Sequence, residues 1–192
     1  MAQSPYSKRQ NSRGFTVVEV VVASFILMVG IVAVAGVVGS TLGNTTRSEY
    51  MTQAATLATE KLEDLNRYPS TDGNVTVPNG ISVGSLASDT TGYYDEVYFS
   101  PADGAIIETT TGLDSNGNLQ YETTTYTPDG HMSAVSNSST PPNTALSTVF
   151  KRRWLIEQNQ PVAGVRRVTV LVSLQGQAAA SAVTFQMSMV RP

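Results

Sequence analysis

Hydrophobic residues dominate the start of this chain and then become periodic. Residues 15–39 are apolar except for one charge, Glu19. About 20 apolar residues are enough for a helix to cross a bilayer, so this run predicts a membrane-spanning helix. Beyond it, apolar residues recur at three- and four-residue steps among charged ones, which predicts that the helix continues with one face to bury. These residues are Met51, Ala54 or Ala55, Ala58, Leu62 and Leu65.

A proline marks the expected end of this helix. Pro69 disfavours helical geometry at Tyr68, so we expect one helix from residue 15 to about Arg67. Residues 70–86 are rich in Ser, Thr, Asp, Gly and Pro and predict a loop.

The remaining chain predicts an antiparallel β-sheet head. Expected strands cover residues 96–100, 105–111, 119–127, 149–157, 165–174 and 182–190, the last three as a meander. Asn116-Gly117 is a strong hairpin signal, and the two Glu-Thr-Thr-Thr quartets at 108–111 and 122–125 predict its arms. Residues 133–147 predict a mobile loop. The predicted fold class is therefore α+β, a long N-terminal helix packed on this sheet.

Charge and cysteine content narrow the class of protein. Charged residues make up only 14% of the chain, below the usual quarter. Without the basic residues of the first fourteen positions, nine basic residues face 15 acidic ones, a formal net charge of −6. Residues 68–150 contain nine acidic residues and no Lys or Arg. This composition disfavours nonspecific binding of nucleic acid by that segment. Cysteine is absent, so sheet pairing and packing alone have to hold the last strand.

The N-terminal residues resemble the signature of type IV prepilins. A basic leader ending R-Q-N-S-R-G stops at Gly14, Phe15 follows, and Glu19 is the fifth residue after that junction. The resemblance implies that a prepilin peptidase cuts between Gly14 and Phe15 and methylates the new Phe15 amine. It also implies that the apolar segment remains as an assembly helix, in which Glu19 lies against the charged Phe15 amine of a neighbouring subunit. A buried carboxylate is tolerable when so paired, and a helix N-terminus favours it.

The resemblance also implies partners and a location. The partners are other pilin subunits in a homo- or hetero-polymer, the prepilin peptidase, and the inner-membrane pilus assembly platform; no cofactor is implied. Lys8, Arg9 and Arg13 keep the leader cytoplasmic by the positive-inside rule, so the head is exported. We therefore expect a single pass in the inner membrane and, after assembly, a place in a pilus at the cell surface.

Two other interpretations of the apolar segment stay open. Ala33-Val34-Ala35 before Gly36 offers a secretory cleavage site, so the segment could be a signal that is removed. It could also be a plain membrane anchor, and either would carry an exported binding domain. Residues 15–32 are already long for a secretory signal, and Glu19 interrupts the start of that segment.

Later segments resemble PilV-type minor pilins and pseudopilin I of type II secretion. They are F-K-R-R-W-L-I-E at 150–157, P-V-A-G-V-R-R-V-T-V-L-V at 161–172 and L-A-T-E-K-L-E-D-L at 57–65. The expected function is a structural subunit of a type IV pilus, a minor pilin aiding assembly, with a pseudopilin as the alternative. The expected domains are a leader at 1–14, the transmembrane assembly helix at 15–39, its amphipathic continuation at 40–67 and a β-rich head at 68–192.

Other groups of residues give weaker signals of a binding or catalytic site. Asp114, Asn116, Asn118 and Glu122 have the 1-3-5-9 spacing of a calcium loop, although a hairpin turn explains the same segment. Basic residues at 151–153 and 166–167 could contact DNA phosphates, but such residues more often flank edge strands and prevent sheet pairing. Trp154 is expected in the core. His131 is the only histidine and no cysteine nucleophile exists, so we predict no catalytic or metal site and no enzyme.

Overall fold

A computed structural model describes residues 14–100, 103–142, 148–176 and 182–192. The chain divides after Thr45 into two compact units. The first unit holds the apolar part of one long helix. The second unit, from Thr46 to Pro192, holds the rest of that helix and a β-sheet.

The helix, α1, spans Val17–Arg67 and confirms the predicted spine helix. At its start, the backbone N–H of Glu19 donates to Thr16 Oγ1 at 3.3 Å, which satisfies one of the unpaired amides of the first turn. At its other end the helix stops before Tyr68 and Pro69, as the proline rule predicts.

Within the second unit, α1 buries one face against the sheet. The buried positions follow the predicted three- and four-residue steps, and they are Ala54, Leu57, Ala58, Leu62 and Leu65. They share one core with side chains of the sheet, including Phe150, Trp154, Ile156, Val168, Val170 and Val172. Full burial of a Leu, Val or Phe side chain contributes about 1.5–3 kcal/mol, so this face holds the helix on the sheet.

Within the described residues eight antiparallel strands form one sheet, and the α+β fold class is confirmed. The strands are β1 (Ser82–Gly84), β2 (Tyr94–Phe99), β3 (Ile106–Leu113), β4 (Leu119–Tyr126), β5 (Met132–Ser138), β6 (Thr148–Gln158), β7 (Arg166–Leu174) and β8 (Thr184–Arg191). Their order is β5-β4-β3-β2-β6-β7-β8, and β1 pairs with the last part of β6. The sheet therefore has β5 at one edge and β8 at the other.

The predicted hairpin and meander are both present. Strands β3 and β4 pair around the Asn116-Gly117 turn, and Thr109 faces Thr123 so that the two threonine-rich quartets are its arms. Strands β6, β7 and β8 pair in sequence as the C-terminal meander. Turn chemistry and strand periodicity were sufficient signals because both elements join neighbours along the chain.

The predicted mobile loop at 133–147 is wrong in its first half, which is strand β5, and its residues 143–147 lie outside the described residues. Pro128-Asp129-Gly130 turns the chain from β4 into β5. In that turn the Gly130 N–H donates to Thr127 O, the Thr127 N–H donates to His131 O, and Gly130 has φ of 83°. The strand shows little apolar alternation, so only the free edge of β4 makes it a strand.

The predicted loop at 70–86 also contains regular structure, a 3-10 turn at Pro78–Gly80 and strand β1. Gly84 has φ of 83°, and a Cβ there would lie 2.1 Å from the backbone oxygen of Trp154. Only glycine permits this approach of β1 to β6. Three residues are too few for a periodic signal, which explains why the strand was missed.

The C-terminal strand is held without a disulfide, as the absence of cysteine required. Its residues pair with β7 along the whole strand. The Arg191 guanidinium also donates to Leu65 O at 3.1 Å and to Tyr68 O at 2.8 Å. It thereby satisfies carbonyls at the end of α1, where a cation also favours the helix dipole.

Candidate assembly and processing site

The junction between Gly14 and Phe15 lies just before α1 and is open. Nothing lies within 4 Å of a Cβ built on Gly14, and 82% of Phe15 is exposed. Neither residue belongs to the helix, which begins at Val17. The peptide bond between Gly14 and Phe15 is therefore accessible and lies outside the helix.

Glu19 lies in the first turn of α1 and is exposed. Its backbone N–H is satisfied by Thr16, but no donor or cation contacts its carboxylate among the residues that the structure describes. The position favours negative charge because the helix dipole is positive at this end. In an apolar environment the carboxylate would still need a cation as partner, since an isolated charge there is costly.

The part of α1 that lies in the first unit presents mainly apolar side chains. Its large hydrophobic residues from Val17 to Leu42 are between 50% and 80% exposed. The hydroxyls of Ser24, Thr41 and Thr45 donate to the carbonyl four residues earlier, at 2.8–3.0 Å. Because these donors are already satisfied, the helix surface suits lipid or other apolar helices. Among the described residues, α1 is the one helix long and apolar enough to cross a membrane.

Residues 9–35 match the family model of the prokaryotic N-terminal methylation motif. The chain carries this motif.

The match covers the junction, Glu19 and most of the exposed apolar helix, and it confirms the resemblance to type IV pilin-like proteins. Proteins with this motif are structural and not catalytic, and the motif implies assembly with other pilins and processing by a prepilin peptidase. No curated protein and no solved structure matches the chain significantly.

Outside the motif, the calcium candidate lies at the β3–β4 turn. The Asp114 carboxylate accepts hydrogen bonds from the backbone N–H groups of Asn116 and Asn118, both at 2.8 Å. These hydrogen bonds hold the pKa of Asp114 below its usual range, and the bond from the backbone N–H of Asn118 has the largest effect. Glu122 lies on β4 opposite Thr110. The described residues contain no group of three His, Asp or Glu that could hold a metal, and the calcium site stays a prediction.

Four of the five basic residues proposed for phosphate contact are paired with acids, and Arg166 donates to the backbone oxygen of Ser70 at 3.3 Å. Lys151 and Arg153 both donate to Asp89 at 2.7 Å, and Arg167 donates to Glu157 at 2.7 Å. The expectation that these residues flank edge strands is wrong, because β6 and β7 lie inside the sheet. A strand between two hydrogen-bonded neighbours needs no charge to prevent further pairing, so the charges serve ion pairs instead.

Sequence reasoning missed a buried ionic cluster in the head. Asp95 is 1% exposed and Arg152 is 3% exposed. Arg152 holds both oxygens of Asp95 at 2.6 and 2.9 Å and also reaches Glu108 at 3.0 Å. Lys61 Nζ, from α1, lies 3.1 Å from Asp95 and 4.2 Å from the ring centre of Trp154.

The cluster had a readable signal in the sequence. Trp154 is buried, as predicted, and alternation along β6 places Arg152 on the same face as Phe150 and Trp154. A charge on an inward position predicts a buried partner, since an unpaired charge there is too costly. The identity of that partner could not be read, because Asp95 is remote in sequence.

His131 takes no part in any such cluster. Its imidazole is 85% exposed, and its Nε2 lies 3.7 Å from Asp129 at the β4–β5 turn. Its side chain is therefore largely solvated, in the turn that connects β4 and β5.

Proposed function

We propose that this protein is a non-enzymatic subunit of a type IV pilus or related filament, and specifically a minor pilin that helps to start assembly. One observation carries the proposal. The methylation motif runs directly into an exposed apolar helix, and that helix carries in its first turn a carboxylate without a partner among the described residues. A plain anchor has no need for such a charge, whereas a helix that assembles with its own kind can pair it.

The proposed mature form lacks the leader at 1–14 and begins with N-methylated Phe15. Residues 15–39 then form the transmembrane assembly helix, 40–67 its amphipathic continuation and 68–192 the head. Cleavage creates an amine at Phe15, only four residues before Glu19. Two subunits offset along their helices would bring that amine to the carboxylate of the neighbour and so neutralise both charges.

Before assembly the subunit is stored in the inner membrane, with its head exported. The exposed apolar helix and its satisfied hydroxyls support this location. After assembly by the inner-membrane platform, the same helix packs among other pilin helices. Nothing in this cycle calls for a cofactor.

The charges of the head favour a minor over a major subunit. Three basic residues of β6 form ion pairs with acids of the same head, namely Lys151, Arg152 and Arg153. Little positive charge therefore remains to pair with the acids of a neighbouring subunit. The shaft of a filament repeats one head-to-head contact many times, and like charges at such a contact are unfavourable. A subunit present in few copies avoids that repetition.

Mass spectrometry of the purified protein tests the processing step. We expect the first fourteen residues to be absent and the new terminus to carry one methyl group on Phe15. Replacing Gly14 with a bulky residue should leave the unprocessed precursor in the membrane. A mature terminus at Gly36 would identify a secretory signal and refute the pilin proposal.

Quantitative proteomics of sheared filaments tests the minor role. We expect this chain far below the dominant pilin, and its deletion should reduce filament number more than filament length. If it is the dominant band, the minor assignment fails. If deletion leaves pili intact but abolishes secretion of exported proteins, the pseudopilin alternative replaces it.

A further inference from the structure

Among the residues that the structure describes, strand β5 forms an open edge of the head sheet. Within them it pairs only with β4, and six of its seven residues are exposed. The opposite edge is different, because β8 packs Phe185 and Met189 against the core and Arg191 ties it to the end of α1. An open strand edge presents N–H and C=O groups that fit another extended strand.

Hydrogen-bond alternation shows which groups of β5 face outward. The Asn118 carbonyl accepts from Asp114 on the β3 side, so even-numbered residues of β4 point to β3 and odd-numbered ones to β5. Their partners on β5 are Ala134, Ser136 and Ser138. The backbone groups of Val135 and Asn137 therefore point away from the sheet.

This edge lacks most of the usual protection against pairing. The β5 segment contains no Lys, Glu, Asp, Arg or Pro, and no charged residue occurs between Met132 and Phe150. The register shifts between Ala134 and Met132, which confines the regular edge to residues 134–138. Proteins normally protect an exposed edge with charge, proline or a covering loop.

We propose that the outer edge of β5 pairs antiparallel with the same edge of a second copy of this chain, centred on Ser136. Centring on Ser136 places Val135 opposite Asn137 of the other copy, and Asn137 opposite its Val135. Both pairs then use the outward backbone groups, so four N–H···O=C bonds form. The facing side chains are small or uncharged, so the contact brings no like charges together.

Charge supports a second copy as the occupant. The head is acidic, so most contacts between two copies bring like charges together. At the β5 edge the nearest strand acid is Glu122 on β4. In the pair, β4 of one copy lies three strand spacings from β4 of the other, about 14 Å, which exceeds the Debye length of about 8 Å at physiological ionic strength.

The symmetry of the contact limits what it can do. Two identical edges that meet around a two-fold axis close at two copies and do not propagate. The β5 pair is therefore a dimer contact of the membrane-stored protein and not the repeating contact of a filament. A strand contact this short gains from confinement of both copies to one membrane, which raises their effective concentration.

Cysteine cross-linking of the full chain in membrane vesicles tests the pairing, and the cysteine-free sequence makes each added thiol unique. Ser136→Cys should form a disulfide-linked dimer with a mild oxidant, because non-hydrogen-bonded pairs lie about 4.5 Å apart between Cα atoms. Ala134→Cys is the matched control on the same strand. Its two copies lie about 13 Å apart in this register, too far for a disulfide.

Two further experiments test the register of the pairing and its dependence on the outer edge of β5. Co-expressed Ala134→Cys and Ser138→Cys chains should cross-link to each other, since the register places them opposite. Val135→Pro removes an outward N–H without touching the bonds to β4, so in the Ser136→Cys background it should lower the dimer yield at least fivefold. If the proline variant melts at a lower temperature than its parent, Val135→Lys provides the alternative test. It adds charge to the edge and should likewise lower the dimer yield.

Three results would overturn the proposal. The first is the absence of a Ser136→Cys dimer. The second is an equal yield from Ala134→Cys or from the exposed loop variant Val162→Cys, which would indicate random collision. The third is cross-linking of Ser136→Cys to a different protein, which would mean that the edge accepts another partner.

Discussion

Replacing Asp95 with asparagine tests whether the buried ionic cluster holds the head together. The substitution keeps the shape of the side chain but removes the negative charge that Arg152 and Lys61 share. Loss of one partner from a buried ion pair costs about 3–5 kcal/mol, because the other charge is left without compensation. Glu108 stays within 3.0 Å of Arg152 and limits the damage, so we expect a loss near the lower end of that range.

The expected loss is large for a unit of this size. About 1 kcal/mol shifts the melting temperature of a 150-residue unit by 2–4 °C, so the variant should melt roughly 6–12 °C lower. Thermal unfolding of the detergent-solubilised full chain, followed by the β-sheet signal in circular dichroism, measures this. Glu122→Gln is the matched control, because Glu122 lies on β4 away from the cluster and its change should stay within about 0.5 kcal/mol.

The pH dependence gives a second readout of the same cluster. Burial by itself raises the pKa of Asp95, but Arg152 and Lys61 outweigh it and hold the pKa below its usual range. The stabilisation is therefore complete above the unfolded-state pKa of about 3.9 and is lost as the pH falls through the lower folded-state value. The amide of the Asp95→Asn variant does not titrate, so the gap in stability between wild type and variant should narrow in acid.

A double variant separates pairing from packing. Asp95→Leu with Arg152→Met removes one charge of each sign and leaves Lys61 and Glu108 to balance each other. It should be more stable than Asp95→Asn alone, since apolar replacement of both partners is often neutral.

Two results for the single variant would refute the reasoning. One is a melting temperature for Asp95→Asn within about 2 °C of wild type, and the other is a difference in stability between wild type and variant that stays constant in acid.

Two further predictions concern the helix and the β1 approach. Glu19→Val should still insert in the membrane, because it removes a carboxylate that costs about 2.5–3.5 kcal/mol there, yet sheared filaments should contain far less of it than of the control Glu49→Val. Equal incorporation of both variants would show that the carboxylate is dispensable. Gly84→Ala should lower the free energy of unfolding by about 2 kcal/mol or more, because the new Cβ meets the Trp154 carbonyl at a positive φ. Gly112→Ala, with open space around it, should be much milder in the same denaturant titration, and similar losses would contradict the strain argument.

Much of this protein was determined by local sequence. The apolar run and its change to an amphipathic pattern place α1 within two residues of its start and at its observed end. Asn116-Gly117 gives the β3–β4 hairpin, and alternation near the C-terminus gives the meander. These features depend on near neighbours along the chain, where periodicity and turn chemistry act. The same is true of the junction at Gly14 and of Glu19, which lie within one short motif.

Only the tertiary structure decided the edges and the charged core. Met132–Ser138 is a strand because β4 offers it a free edge, and Ser82–Gly84 is a strand because Gly84 lets it approach β6. Asp95 and Arg152 meet because β2 and β6 lie side by side, although 57 positions separate the two residues. Such pairings depend on long-range contacts whose free energy exists only once the sheet has formed, so no local pattern can record them.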